Sequence, residues 1–145
     1  MKQKSNKTDR LIALGIFIPT AIVLGLAMYL KPDPSGMGTH QQLGLSPCGF
    51  LEYTALPCPM CGMTTTFTHL AHLQIVEGVL NQPFGLVLFL LTLFSCVVSF
   101  VELFFPRRRI SRFLNWLGPY EFRLALFFFV GMILGWIYKI IVVLY

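Results

Sequence analysis

Residues Phe84–Phe105, with the sequence FGLVLFLLTLFSCVVSFVELFF, form a run of 22 residues whose only charged member is Glu102. A helix of about 20 apolar residues crosses a hydrocarbon core about 30 Å thick. Two further stretches have the same character: Leu11–Leu30 carries no charge, and Phe122–Tyr145 carries two basic residues. Backbone groups in lipid must form hydrogen bonds within their own segment, so all three stretches are predicted to be transmembrane helices.

The composition of the whole chain agrees with this prediction. The 145 residues are 56% hydrophobic and 12% charged, whereas soluble domains average about 45–50% apolar and about 25% charged residues. A soluble fold of this size cannot bury such an excess, and disordered chains are poor in aromatic residues. The sequence predicts an all-α integral membrane protein with one membrane domain over residues 1–145 and lipid as its surroundings.

Basic residues predict the orientation of the spans. Nine of the eleven lysines and arginines flank one side of the predicted membrane: Lys2, Lys4, Lys7, Arg10, Arg107, Arg108, Arg109, Arg112 and Arg123. By the positive-inside rule, the N-terminus and the connection 106–121 lie in the cytoplasm. The loop 31–83 and the C-terminus then face outward. These charges are explained as topology determinants that contact anionic headgroups, so no nucleic-acid partner is expected.

The cytoplasmic connection has a pattern of its own. Between Ile110 and Glu121, Arg112 stands among large apolar residues, which is typical of a short helix at a membrane interface. Gly118-Pro119 is expected to end that helix.

Residues able to carry chemistry are concentrated in the outer loop. All three histidines (His40, His69 and His72) and three of the four cysteines (Cys48, Cys58 and Cys61) lie between Lys31 and Pro83. The fourth cysteine, Cys96, lies in the middle of the second span. We interpret Cys96 as a small packing residue.

The spacing in this loop predicts a short helix. Pro59 lacks an N–H and suits the first position of a helix that begins at Cys58. The following polar residues are spaced 3, 4, 4 and 3 and therefore share one face: Cys58, Cys61, Thr65, His69 and His72. Phe67 and Leu70 lie on the opposite face and are expected to contact lipid or the spans. The pattern loses its phase after Leu73, so an end near Gly78 is predicted.

Such a helix is either interfacial or re-entrant. A plain surface helix whose threonines and histidines face water fits the same spacing.

The cysteine pattern leaves three chemical interpretations open. A Cys-x-x-Cys followed by glycine is typical of zinc knuckles, and Cys48 with His69 or His72 would complete four ligands. Alternatively, Cys58 and Cys61 are a catalytic redox pair, because a thiol at a helix N-terminus is activated and its neighbour can resolve a mixed disulfide. The third interpretation is a structural disulfide, since the outer side of the membrane is oxidising.

The third span contains the pattern Gly131-Met-Ile-Leu-Gly135. Two glycines one turn apart flatten a helix face and allow another helix to approach closely. This face is predicted to pack against another span, against other membrane subunits or against a second copy of the chain.

The loop also resembles a known family. Cys48, nine residues, then Cys58-Pro59-Met60-Cys61-Gly62-Met63-Thr64, followed by His72 and by Pro83 at the start of a span, resembles the bacterial membrane family DUF2752, a domain of unknown function. The family pattern is approximately C…CPxCGxTR, a short helix, a Gly-Asp pair and an Asn-Pro before a hydrophobic span. This chain departs from it at three places: Thr65, Leu73-Gln74 and Gln82.

The resemblance implies a small helical protein of the bacterial inner membrane and brings no established activity. We therefore expect an accessory or assembly subunit of a membrane complex, with its outer loop fixed by zinc or a disulfide. The alternative is a membrane thiol–disulfide oxidoreductase.

The orientation can be tested by labelling. We expect a cysteine placed at Ser35 or Gln42 to react with a membrane-impermeant maleimide in intact cells, because the positive-inside rule puts the loop 31–83 outside. The unmodified chain gives the background from the native cysteines. Labelling that requires permeabilised membranes would contradict the orientation.

Overall fold

The computed structural model describes residues 2–105 and 109–144, and every regular element in these residues is helical. The α-helices are α1 Lys2–Tyr29, α2 Gly49–Thr54, α3 Met63–Ala71, α4 Ile75–Asn81, α5 Pro83–Phe104, α6 Arg109–Leu117 and α7 Glu121–Leu144. Two 3₁₀ turns, Thr39–Leu43 and Gly118–Tyr120, lie between them.

The predicted fold class is confirmed. Three helical segments are long and apolar enough to cross a membrane: Lys7–Tyr29, Pro83–Phe104 and Asn115–Leu144. Large apolar side chains on these segments are exposed, as lipid-facing residues must be; Phe94 and Phe129 are examples. Arg107 and Arg108, on which the predicted orientation partly depends, lie outside the described residues.

Helices α1 and α5 form the main helix pair. Ala13 and Ala27 on α1 are buried, and small residues of this kind let helices in lipid approach closely. Away from these alanines, the rings of Phe17 and Phe100 meet at a centroid distance of 5.6 Å. Helix α3 lies between the end of α1 and the beginning of α5 and contacts both helices.

Helix α3 packs against α1, α4 and α5. Its buried residues are Thr65, Thr66, Thr68 and Leu70. Phe67 meets the ring of Phe89 on α5 edge to face at 5.4 Å, an arrangement that aromatic rings favour. Phe67 and Leu70 thus contact the rest of the protein as the spacing predicts, and α3 is held by the spans instead of lying free at a surface.

The predicted bounds of this helix were wrong at both ends. The helix begins at Met63, five residues after Cys58, because Gly62 has a φ of +85° that ends the preceding turn. It stops at Ala71, where Leu73 adopts a φ of +62° and the N–H of Gln74 donates to the carbonyl of His69. The residues up to Asn81 form a separate helix, α4.

Helix α6 covers the predicted cytoplasmic connection. It runs from Arg109 to Leu117 and gives way to a 3₁₀ turn at Gly118-Pro119, the point at which the sequence predicts an end.

The two glycines of the third span face α5 within the same chain. A Cβ atom at Gly131 would lie 2.6 Å from Cε2 of Phe84, and one at Gly135 would lie 3.0 Å from the Phe84 Cβ. The Phe84 ring also meets Phe128 at a centroid distance of 6.2 Å. The glycines therefore create the space that Phe84 fills, so this helix face is already occupied in the single chain.

Replacing Gly131 with leucine should destabilise the protein by about 1–3 kcal/mol, the usual cost of overpacking. The added side chain must displace the Phe84 ring. The matched control is Gly25→Leu in α1, where no atom lies within 4 Å of the new Cβ. Thermal unfolding in detergent measures the effect, and equal melting temperatures for the two variants would contradict the assigned packing.

Candidate functional site: a three-cysteine cluster beside a buried lysine

Three cysteines of the loop come together in the folded chain. The sulfur atoms of Cys48, Cys58 and Cys61 all lie within 4.8 Å of one another. Cys61 is buried, and the other two are partly exposed. All three are free thiols in this structure. The cluster joins two parts of the loop, because Cys48 lies directly before α2 while Cys58 and Cys61 lie directly before α3.

A tight turn presents Cys58 and Cys61 on the same side. The N–H of Cys61 donates to the carbonyl of Cys58 at 2.9 Å, and the N–H of Met63 donates to that of Met60 at 3.1 Å. Pro59 suits this turn because its φ is fixed near the value that the second position of a turn requires. The turn thus brings two thiols together before α3 starts.

Gly62 is required by a close backbone approach. Its φ is +85°, a conformation that residues with a Cβ rarely adopt, and a Cβ there would lie 2.7 Å from the carbonyl oxygen of Gly36. The loop segment before the 3₁₀ turn therefore runs directly over the cysteine turn. A side chain at position 62 would force the two segments apart.

Lys139 of α7 reaches into the same place. Its side chain is 2% exposed, and its Nζ donates to Asn81 Oδ1 at 2.6 Å and to the carbonyl oxygens of Asn81 and Gly36 at 3.4 Å each. A Cβ at Gly62 would lie 3.1 Å from this Nζ. The third span thus places a buried amine directly behind the residue that follows Cys61.

Asn81, the last residue of α4, connects the lysine to the cysteine turn. Its Nδ2 donates to the carbonyl of Gly62 at 3.0 Å and to Thr66 Oγ1 at 2.9 Å, while its Oδ1 accepts from Lys139. Both ends of the amide are used, so its orientation is fixed. The hydrogen bonds from Lys139 of α7 to Asn81 and from Asn81 to Gly62 hold the cysteine turn in position.

The three thiols differ in their electrostatics. Burial raises the pKa of Cys61 to about 12, because a thiolate is poorly solvated in an apolar site. At Cys48 the backbone N–H of Leu51, in the first turn of α2, lowers the pKa below its ordinary value, since an N–H favours the thiolate. In the metal-free chain Cys48 ionises more readily than Cys61.

The structure does not bring the predicted histidine ligands to the cluster. His69 Nδ1 lies 2.7 Å from Gln74 Oε1, and His72 Nε2 lies 3.1 Å from the carbonyl oxygen of Leu30. His40 contacts the carbonyl of Ser46. The stripe of five polar residues is interrupted because the chain turns at Gly62, between Cys61 and Thr65. Within residues 2–105 and 109–144, the cluster consists of Cys48, Cys58 and Cys61.

Sequence reasoning missed Lys139 and Asn81. Asn81 is a common polar residue in a loop and gives no local signal. Lys139 did give one, because a lone charge inside an apolar span is expensive and is usually functional. Trp136 lies one turn before Lys139 on α7 and also contacts the loop. Its Nε1 donates to the carbonyl of Pro57 at 2.7 Å, next to Cys58.

Comparison with known proteins agrees with the resemblance seen in the sequence. Residues 48–96 match the family described as "Protein of unknown function (DUF2752)". No curated protein and no solved structure shows detectable similarity to the chain. The chain resembles DUF2752 in a segment that begins at Cys48 and contains the whole cysteine cluster. Lys139 lies outside the matched segment.

One departure from the family pattern now has a structural context. Thr65 stands where the pattern has arginine; it is fully buried, and its Oγ1 accepts a hydrogen bond from Thr39 at 2.8 Å. The basic group beside the cluster in this chain is Lys139 of α7.

The difference between the thiols predicts an order of alkylation. In the reduced, chelator-treated protein at neutral pH, we expect iodoacetamide to modify Cys48 roughly tenfold or more faster than Cys61, because the thiolate is the nucleophile and Cys61 is buried. Raising the pH through the alkaline range should speed modification of Cys61 more than that of Cys48, because the Cys48 thiol has the lower pKa and becomes fully ionised first. Site-resolved mass spectrometry measures both rates, and equal rates at neutral pH would refute the assigned environments.

Proposed function

We propose that this chain is an accessory or assembly subunit of a membrane complex, and that the cysteine cluster fixes its outer loop. The observation that carries the proposal is the convergence of the three sulfurs within 4.8 Å, from two loop segments that are separated in sequence. A link between these sulfurs, through a metal or a disulfide, would close the loop around α2. The buried position of Cys61 supports a structural role more than repeated turnover.

The proposed location is the bacterial inner membrane, with the N-terminus in the cytoplasm and the loop 31–83 and the C-terminus outside. The distribution of Lys and Arg supports this orientation. A redox-active or disulfide-linked loop also fits an outward position, because that side is oxidising.

The proposed partners are other membrane subunits or a second copy of the chain, in contact with the third span. Since Phe84 fills the Gly131–Gly135 face, a partner would contact the other faces of α7. Phe129 and Ile137 are exposed there and apolar, so they suit a helix of a partner as well as lipid.

A second candidate function is a membrane thiol–disulfide oxidoreductase that uses Cys58 and Cys61. The same convergence favours it, since a third thiolate beside a disulfide can attack it and exchange partners. The two candidates make opposite demands: a structural link should be permanently occupied, whereas a redox pair should cycle between two states.

Serine substitutions separate the candidates. If the cluster fixes the loop, Cys48→Ser, Cys58→Ser and Cys61→Ser should each cost about 2–5 kcal/mol, the usual loss for a structural crosslink. Each should therefore lower the amount of protein in the membrane several-fold and impair its migration as part of a complex. Cys96→Ser is the matched control, because Cys96 lies in α5 outside the cluster. Immunoblots and native gels measure both effects.

The oxidoreductase predicts a different result. Cys58→Ser would stay abundant, and Cys61→Ser would accumulate as a mixed disulfide with another protein. Normal protein levels in all three variants, together with a trapped adduct, would overturn the structural role.

A further inference from the structure

Lys139 carries a charge that the fixed-loop function alone does not explain. Its side chain is 2% exposed, and its three acceptors are uncharged oxygens of Asn81 and Gly36. One short contact and two longer ones surround Nζ with three oxygen acceptors, an environment that suits the three N–H donors of an ammonium. The geometry therefore favours Lys139 as a buried cation.

A buried cation requires a nearby negative charge, because removing an unpaired ion from water is very costly. Cys61 is a neighbouring group whose thiolate form would favour this ammonium. A neutral thiol or a neutral disulfide at Cys61 gives no compensating charge. Three un-ionised thiols, or a disulfide with one un-ionised thiol, carry no charge that balances the lysine.

A divalent thiophilic cation does balance it. When Zn²⁺ binds three cysteines, three S–H bonds break, three protons leave to solvent and three Zn–S bonds form, with no change in oxidation state. The resulting zinc trithiolate has a net charge of minus one, which the single positive charge of Lys139 neutralises. A monovalent cation such as Cu⁺ would leave the same site with an uncompensated negative charge.

The positions of the sulfurs also fit zinc. With Zn–S bonds of about 2.3 Å and tetrahedral angles, bound sulfurs are separated by about 3.8 Å. The three sulfurs already lie within 4.8 Å of one another, so side-chain adjustments of about 1 Å supply three of the four tetrahedral ligands, and the fourth position is open to water. Hard cations such as Mg²⁺ or Ca²⁺ are excluded, because they prefer oxygen ligands.

We propose that Cys48, Cys58 and Cys61 bind one Zn²⁺ ion as thiolates, with Lys139 as the counter-ion of the site. The proposal rests on the proposed function and assigns the link that fixes the loop to zinc instead of a disulfide. Lys139 is a positioning residue that acts through its charge and does not bind the metal. It makes zinc binding dependent on the docking of α7 against the loop.

The test uses the full-length chain purified in detergent, with zinc as the probe. We expect one zinc per chain by elemental analysis, and none in Cys61→Ser. Cobalt substitution should give a thiolate-to-metal charge-transfer band. Lys139→Met keeps most of the side-chain volume and removes the charge; it should weaken zinc binding about 10–100-fold, as loss of groups around a metal's ligands does. Competition with a chromophoric chelator measures the affinity.

The matched control is Lys31→Met, which removes an exposed lysine from the same loop. It should bind zinc as the original chain does, and so should Cys96→Ser. Because Lys139→Met could lower stability by itself, Lys139→Arg is compared with it: the restored charge should recover at least part of the affinity. The cobalt band of the folded fraction reports the site independently of protein yield.

Two results would overturn the inference. One is a metal-free protein with a disulfide among the three cysteines. This result would refute the zinc site but not the role of the cysteines in fixing the loop. The other is an unchanged zinc affinity in Lys139→Met, which refutes the counter-ion. Failure of the proposed function is a separate result, seen when the cysteine-to-serine variants stay abundant and assemble normally.

Discussion

The hydrogen bond from Lys139 to Asn81 is the interaction on which the outer part of this protein depends. It is short, at 2.6 Å, and it joins the third span to the end of α4. Through its other amide end, Asn81 holds the carbonyl of Gly62 and the hydroxyl of Thr66. One side-chain amide thus connects a transmembrane helix, the turn that presents Cys58 and Cys61, and the buried face of α3.

Other contacts between α7 and the loop lie close to this bond. Trp136 donates to the carbonyl of Pro57, and the hydroxyl of Tyr138 donates to that of Leu80. Both acceptors are backbone carbonyls at the ends of loop segments, where no helix partner would satisfy them. Further along α7, apolar packing of Phe84 against Gly131 and Gly135 takes over. The third span is therefore polar where it meets the loop and apolar where it meets α5.

The features that the sequence predicted well are those set by short-range pattern and by solvent. A run of 22 apolar residues has one economical conformation in lipid, so Phe84–Phe105 could be assigned as a helix without knowledge of its neighbours. The spacing of Phe67 placed it correctly against a span, because an amphipathic helix buries its apolar face. Leu70 is also buried, and it lies against Gly78 of α4.

The errors arose where tertiary contacts overrule local spacing. Helical periodicity continues through Gly62 and Leu73, but both adopt a positive φ, and the helix is confined between them. The break at Gly62 is why His69 and His72 share a face with Cys61 in the spacing and not in the structure. A lone lysine in an apolar span signals a functional residue, but its contact with the cysteine turn could not be predicted, because Lys139 is distant in sequence and Asn81 has no distinctive context.

The position of the cation on α7, and not on the loop, has a consequence for assembly. A lysine on the loop could turn to solvent when the cysteines are empty, and its charge would cost nothing there. Lys139 lacks that freedom, because it extends from a helix that is also held to α5 by the Phe84 contact. With α7 docked, its ammonium is buried beside Cys61 whether or not the thiols are ionised. An unpaired buried charge is destabilising, so every docked state in which the cluster carries no negative charge is less stable. Docking of α7 against the loop is therefore favoured most when the cluster is negatively charged.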